Sequence, residues 1–371
     1  MLEQTHDEQE IIQRVAALDI GKAELVCCVR VPDPKGGSRR LEEVKTYSTM
    51  TRSLQLMADR LLDLGVTRVV MEATSDYWRS PFYLLEAHGF QTWLVNAKDV
   101  KHLPGRPKTD RLDAVWLCKV AERQMLRPSF VSPVPIRRLR DVTRYRIALV
   151  SDRNREKNRV EKLLEDAQIK LSVVASDIFG MSGRDMMAAL IAGERNPQAL
   201  AQLARSRMRG KIPQLEEAFV GYFTDHHRFL LAKMLTRIDA LNADIDELET
   251  EIEAQLAPFA PAVARLDEIP GVGVTAAAVI IAEVGLDMTR FPTPAHLSSW
   301  ARFAPGVKKA VVAVGRSILV IVWYLLSDPE AGFHDLGPGY YDSRINPERK
   351  KRNHVREPEA LGYRVTLQPA A

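Results

Sequence analysis

The chain changes character at Pro133-Val134-Pro135, and that change limits its fold more than any other feature. Beyond it, from Ile136 to Leu171, there is no strand signal and no internal proline. Leu139, Val142, Ile147, Leu149, Val160, Leu163 and Leu164 recur there at helical intervals among many charges. A long helix is expected. Phe229 to Leu256 repeats the pattern with Leu231, Leu235, Ile238, Leu241, Ile245, Leu248 and Ile252, spaced by three and four as in a coiled-coil seam. The two long helices are free to pair within one chain or between two copies. Gly180, Gly183, Gly193 and Pro197 mark shorter helices in a connecting lobe.

Before the boundary the order is strand-rich and then alternating. Arg14 to Arg30 reads as a strand, Pro32-Asp33-Pro34-Lys35-Gly36-Gly37 as a turn, and Leu41 to Ser48 as the hairpin partner. Thr51 to Leu64 has helical periodicity, Val66 to Met71 is a short β-branched run, Tyr83 to His88 is helical, and Gln91 to Val95 returns to strand. This order predicts an α/β domain with a mixed sheet. After Pro258 and Pro261 a third unit opens with Ile269-Pro270-Gly271-Val272-Gly273 and runs into an alanine-rich helix from Thr275 to Val284. The expected organisation is an α/β domain over 1–132, a helical coiled-coil region over 133–260, and a small helical domain over 261–371. That last domain ends in a tail dense in Lys350, Lys351, Arg352, His354 and Arg356.

Composition excludes several classes. With 371 residues and 46% hydrophobic content, more than one buried core is expected. The net charge of +4 is the difference between 52 basic and 48 acidic residues, so local clustering matters more than the sum. Cys27, Cys28 and Cys118 form neither a zinc ribbon nor a disulfide ladder, and a reducing cytoplasm suits them. Met1 to Glu10 is polar and acidic, unlike an export signal. Ala310 to Leu326 is almost wholly apolar, but Gly315, Arg316 and Ser317 interrupt it, so a buried helix is expected and no membrane span.

Candidate chemistry lies in four acids. Asp19 ends the apolar run Val15-Ala16-Ala17-Leu18, and Glu72 ends Arg68-Val69-Val70-Met71. A carboxylate suits a strand interior poorly, and burying its charge is costly without a partner. Asp110 and Asp113, in Lys108-Thr109-Asp110-Arg111-Leu112-Asp113-Ala114, stand three apart at the start of a predicted helix and share one face. Four converging carboxylates require divalent cations between them, and hard oxygen ligands suit Mg2+ or Mn2+. An Asp-x-x-Asp pair at a helix start also serves as an N-cap with a dipole-stabilising neighbour, and that alternative stays open.

Leu18-Asp19-Ile20-Gly21, Met71-Glu72-Ala73-Thr74, Lys108 to Ala114 and Ile269 to Gly273 together closely resemble the DEDD transposases of insertion sequences of the IS-one-ten type, over almost the whole chain. The resemblance implies an RNase H-like, RuvC-like N-terminal domain, a coiled coil that mediates homo-oligomeric assembly, and a C-terminal transposase domain that supplies a nucleophilic serine. It also implies DNA partners, a structured noncoding guide RNA, and Asp19, Glu72, Asp110 and Asp113 as metal-binding acids. The chain departs from the family after Ser299-Trp300-Ala301-Arg302-Phe303-Ala304-Pro305-Gly306. Only Val307 separates Gly306 from Lys308, where the family has its serine-bearing stretch. Ser298, Ser299 and Ser317 do not occupy that place, so this copy is expected to lack the nucleophile.

The basic positions read as nucleic-acid surfaces without the family. Arg137, Arg138, Arg140, Arg144, Arg146, Arg153, Arg155, Lys157, Arg159 and Lys162 crowd the first long helix, as a phosphate-tracking face would. A solvated helix laced with ion pairs has the same composition. Lys98, Lys101, His102, Arg106, Lys108 and Arg111 stand beside the acids, and the turn at Gly271 and Gly273 resembles a helix-hairpin-helix, whose free backbone N–H groups hold a phosphate. A tight turn without a ligand fits that motif equally. Three rival functions stay open: a resolvase-class nuclease using water at the same acids, an actin-like ATPase, and a nucleic-acid-binding remnant without catalysis. Against the ATPase, Gly21 is followed by Lys22-Ala23-Glu24 and not by hydroxyl residues for phosphate.

Overall fold

The computed structural model describes residues 11–35, 39–73, 75–97, 100, 110–303, 310–335 and 337, with 351–352, 355–356, 358–359 and 362–365 of the tail. Of residues 110, 111, 310 and 311 only the backbone is described. The chain divides into two compact units, Met1–Ser132 and Pro133–Ala371.

The first unit is built on a mixed five-stranded sheet of order β3-β2-β1-β4-β5. Its strands are β1 (Val15–Ile20), β2 (Glu24–Pro32), β3 (Arg40–Ser48), β4 (Arg68–Glu72) and β5 (Gln91–Val95). β1, β2 and β3 pair antiparallel, whereas β1 with β4 and β4 with β5 pair parallel. The span Arg14 to Arg30, read from sequence as one strand, is two strands joined by a turn at Gly21. The Gly21 N–H donates to the Glu24 carbonyl at 2.9 Å, and a Cβ on Gly21 would stand 2.9 Å from that same oxygen.

Helices cover both faces of the sheet. One face carries Ala16, Leu18, Ile20, Val69 and Met71 against α1 (Thr51–Asp63) and α2 (Arg79–Ala87), through Leu54, Met57, Leu61, Phe82 and Leu85. The other carries Val15, Ala17, Cys28 and Val70 against α3 (Asp110–Glu122), through Ala114, Leu117, Cys118 and Ala121. These four recur at i, i+3, i+4 and i+7, the stripe a helix needs to lie on a sheet.

The second unit is helical. Two long helices, α4 (Val134–Asp166) and α9 (Asp225–Leu256), lie antiparallel within the chain. Arg153 Nη1 donates to Asn242 Oδ1 at 3.0 Å, Arg146 pairs with Glu249, and His227 Nε2 lies 3.0 Å from Asp166 Oδ2. Leu149, Leu241 and Ile245 fill the middle of their seam. The sequence extended the first long helix to Leu171, but it ends at Asp166, with Gln168 at a left-handed φ of 59°. The lobe between the two consists of α5 (Leu171–Val174), α6 (Met181–Ala192), α7 (Pro197–Ala201), a 3₁₀ turn (Ser206–Lys211) and α8 (Ile212–Ala218). Its core is built around Leu171, Met186, Met187, Leu190 and Leu215.

The remaining helices are α10 (Ala260–Asp267), α11 (Val274–Val284), α12 (Pro294–Trp300) and α13 (Ala310–Ser327), packed around Leu266, Ala277, Ile281, Leu297 and Val322. The segment expected to form a buried helix is α13, which turns one side to the core of this unit. Val322 and Leu325 are buried, and Val314 and Tyr324 are exposed. No described helix is long and apolar enough to cross a membrane.

Candidate active site

The register of β1 on β4 decides where the strand acids stand. Val15 pairs with Arg68 and Leu18 with Met71, so Asp19 and Glu72 occupy the next position along each strand. In a parallel pair, residues at matching positions project from the same face. Asp19 falls in phase with Val15 and Ala17, and Glu72 with Val70, which is the face covered by α3. Both acids are half-buried. Ser75, three residues past Glu72, holds a left-handed φ of 47°, a costly setting for a residue with a Cβ and one that collects at functional turns.

The direction of α3 brings its first turn to the same end of the sheet. The Ile12 N–H donates to the Glu122 carbonyl at 3.0 Å, and Cys118 Sγ lies 3.6 Å from the Val15 carbonyl, so the helix runs antiparallel to β1. Eight helical residues from Cys118 back to Asp110 span about 12 Å. Four strand residues from Val15 to Asp19 span about 13 Å. The start of α3 is therefore level with Asp19, and half-buried Asp113 stands one turn inside it. The side chain of Asp110 lies outside the described residues. Among the described residues no three acidic, His or Cys side chains come together as a metal-holding group. Asp19, Glu72 and Asp113 offer only hard carboxylate oxygens, the donor chemistry that suits Mg2+ or Mn2+.

The anchor of α3 has no sequence signal. Glu122, buried at the helix end, lies 3.0 Å from Arg30 Nε and 2.6 Å from Arg40 Nε, and Arg30 also bonds Glu42 at 2.6 Å. Cys118 sits in hydrogen-bond contact with Cys28, and that contact together with burial pushes its thiol well above the ordinary value. Burial likewise pushes the Cys27 thiol up. All three cysteines are buried core groups.

The expected nucleic-acid residues are placed unevenly. Lys98, Lys101, His102, Arg106 and Lys108, the side chain of Arg111, and Lys350 and His354 of the tail lie outside the described residues. On α4, Arg153 bonds Asn242, Arg155 pairs with Asp152, and Arg159 pairs with Glu156. Arg140 donates to the Ala282 and Glu283 carbonyls at 2.8 and 3.2 Å, capping the C-terminus of α11, where the helix dipole favours a cation. Arg144 grips the Glu283 carboxylate with two bonds of 2.7 Å. The Pro270-Gly271-Val272-Gly273 segment forms a tight turn between α10 and α11. Gly271 takes φ 86°, Gly273 caps α11, and the Val272 N–H donates to the Ile269 carbonyl at 2.9 Å. Among the serines, Ser298 Oγ donates to the Pro294 carbonyl and Ser317 Oγ to the Ala313 carbonyl, while Ser299 is exposed. The junction from Gly306 to Lys308 lies outside the described residues.

Two family models match the chain. One, for DEDD proteins and described as "Transposase", covers residues 16–169 and so takes in all four acids. The other, described as "Transposase IS116/IS110/IS902 family", covers residues 263–313, including the Gly271 turn. Over 232 residues the chain is 27% identical to the "Insertion element IS110 uncharacterized 43.6 kDa protein" of Streptomyces coelicolor, a match covering 57% of this chain and 56% of that protein. A mixed sheet with strand-end acids and these matches define the class: over the matched parts the chain is related to the DEDD transposases. More particularly, that relationship is to the IS110/IS116/IS902 family.

Proposed function

We propose that this chain is an insertion-sequence transposase that binds DNA and a structured guide RNA and holds Mg2+ or Mn2+ with Asp19, Glu72, Asp110 and Asp113. The observation that carries the reading is the β1–β4 register, which sets Asp19 beside Glu72 on the face covered by α3. Asp19, Glu72, Asp110 and Asp113 would hold a pair of divalent ions, which would supply activation of one oxygen and stabilisation of another at a scissile phosphate. The chain's own part is to fix carboxylates from two rigid strands and one anchored helix, so that geometry and not loop motion sets their spacing.

The C-terminal unit is read as the partner of that site, with the Gly271 turn as a helix-hairpin-helix whose backbone N–H groups meet phosphate. A serine nucleophile must reach the scissile phosphate to form a protein–DNA ester. Only Val307 separates Gly306 from Lys308, where the family has its serine-bearing stretch, and this supports a copy that binds its nucleic acids without completing strand transfer. The test supplies full-length protein with guide RNA, both DNA partners and Mg2+, and looks for binding, recombinants and covalent adducts. Binding without recombinants or adducts is expected. Recombination abolished by Ser299→Ala would place the nucleophile in this chain after all, and absence of any nucleic-acid binding would overturn the transposase reading.

A further inference from the structure

We propose that the turn from Arg205 to Lys211 is a docking surface for the phosphodiester backbone of duplex DNA. It lies outside both stretches matched by the transposase models and outside the acidic site. From Gln202 to Gln214 the chain carries Arg205, Arg207, Arg209 and Lys211 and has no acid and no aromatic residue. All four cations are exposed. Arg205 is neutralised by Asp185 at 2.5 Å, and Lys211 Nζ bonds the Val174 carbonyl at 2.7 Å while staying exposed. Arg207 and Arg209 make no ion pair among the described residues.

The turn is built to hold those two arginines outward. Residues of a 3₁₀ helix are spaced three to a turn, so with Met208 tucked against the lobe core, Arg207 and Arg209 flank the opposite, outward side. Ser206 and Gly210 share that side, and Gly210 has open space where a Cβ would stand, so a strand of phosphates can approach the backbone between the two guanidiniums. The turn is held at its start by the Arg205 N–H donating to buried Ser182 Oγ at 2.9 Å, and just past its end by Ile212 packing on the core. The backbone that carries the two arginines is held in place before binding, so ordering it costs little when phosphates dock. The absence of an aromatic platform disfavours single-stranded RNA, which is read by base stacking, and leaves a duplex backbone as the matching polyanion.

The test measures affinity of the full chain for a fluorescent duplex of random sequence as salt rises. Each phosphate contact contributes about 0.9 to the slope of log affinity on log salt, so Arg207→Ala/Arg209→Ala should flatten that slope by about 2. Between about 50 and 200 mM salt, wild type should therefore lose roughly 12-fold more affinity than the variant. Arg207→Lys/Arg209→Lys should keep the wild-type slope, because a point charge suffices for phosphate. If the alanine pair fails to fold, Arg207→Gln/Arg209→Gln carries the same comparison. An unchanged slope overturns this proposal alone. A slope lost on an RNA hairpin but not on duplex DNA overturns the choice of partner. A wild-type chain that binds neither overturns this proposal and the transposase reading together.

Discussion

Replacing Glu122 by glutamine should loosen the helix that carries Asp110 and Asp113. Glu122 is buried and lies 3.0 and 2.6 Å from the Arg30 and Arg40 guanidiniums, whose side chains are only 14% and 15% exposed. Breaking a buried ion pair by removing one partner costs about 3–5 kcal/mol, because the remaining charge is left without its counterion. Here the loss is partly offset. Arg30 keeps Glu42 at 2.6 Å, and Arg40 keeps Gln13 Oε1 at 3.0 Å and the Ile12 carbonyl at 3.3 Å. The substituted amide in Glu122→Gln would also preserve shape and one acceptor, so the expected cost is about 2–3 kcal/mol. Hydrogen exchange at the amides of β1 and α3 reads this unit without interference from the other. Exchange limited by unfolding should quicken roughly 30- to 140-fold. Exchange within about threefold of wild type would show that the Arg30–Glu122–Arg40 cluster does not anchor α3.

Two further perturbations test the second unit. Gly183→Ala would place a Cβ 2.1 Å from the Ile178 carbonyl oxygen, a backbone atom that cannot swing aside, and should cost about 3 kcal/mol by urea denaturation; a loss under about 0.5 kcal/mol would refute the close packing of α6 on that loop. The bond from Arg144 holds the Glu283 carboxyl below its ordinary value of 4.5, against burial, so the stability it confers is present above 4.5 and is lost as pH falls through the lower folded value. Glu283→Gln should therefore remove part of the acid destabilisation seen in urea midpoints below pH 4.5, and identical pH profiles for the two proteins would contradict that assignment.

Local patterns carried much of the fold, and distant partners did not. The short extended run Gln91 to Val95 and the helical periodicity of Thr51 to Leu64 match β5 and α1 within a residue, because both signals are local. The β1–β2 turn was hidden because apolar residues run up to Ile20 and resume at Leu25, and only Gly21 marks the break. The two long helices were legible from their seams, but which copy supplies the partner was not. Within the chain, Arg146–Glu249 and Arg153–Asn242 join the two from residues 103 and 89 positions apart. Composition likewise showed an Arg-rich α4 without showing that Arg140, Arg144, Arg146 and Arg153 are engaged by groups from α9 and α11. Asp19 and Glu72 stood out because each ends an apolar run. Glu122, 92 residues from Arg30, left no such mark.

If acids from two strands and one helix bind a divalent ion together, Mn2+ titration of the full chain should detect it. Wild type should bind Mn2+, and Asp19→Asn, Glu72→Gln and Asp113→Asn should each weaken binding by more than about tenfold, at least what losing a mere outer partner of a metal ligand costs. Far-UV circular dichroism should stay unchanged in all three. Asp59→Asn, exposed on the outer side of α1, which packs against the opposite face of the sheet, should bind as wild type does. Mn2+ binding that survives intact in both Asp19→Asn and Glu72→Gln would contradict the account.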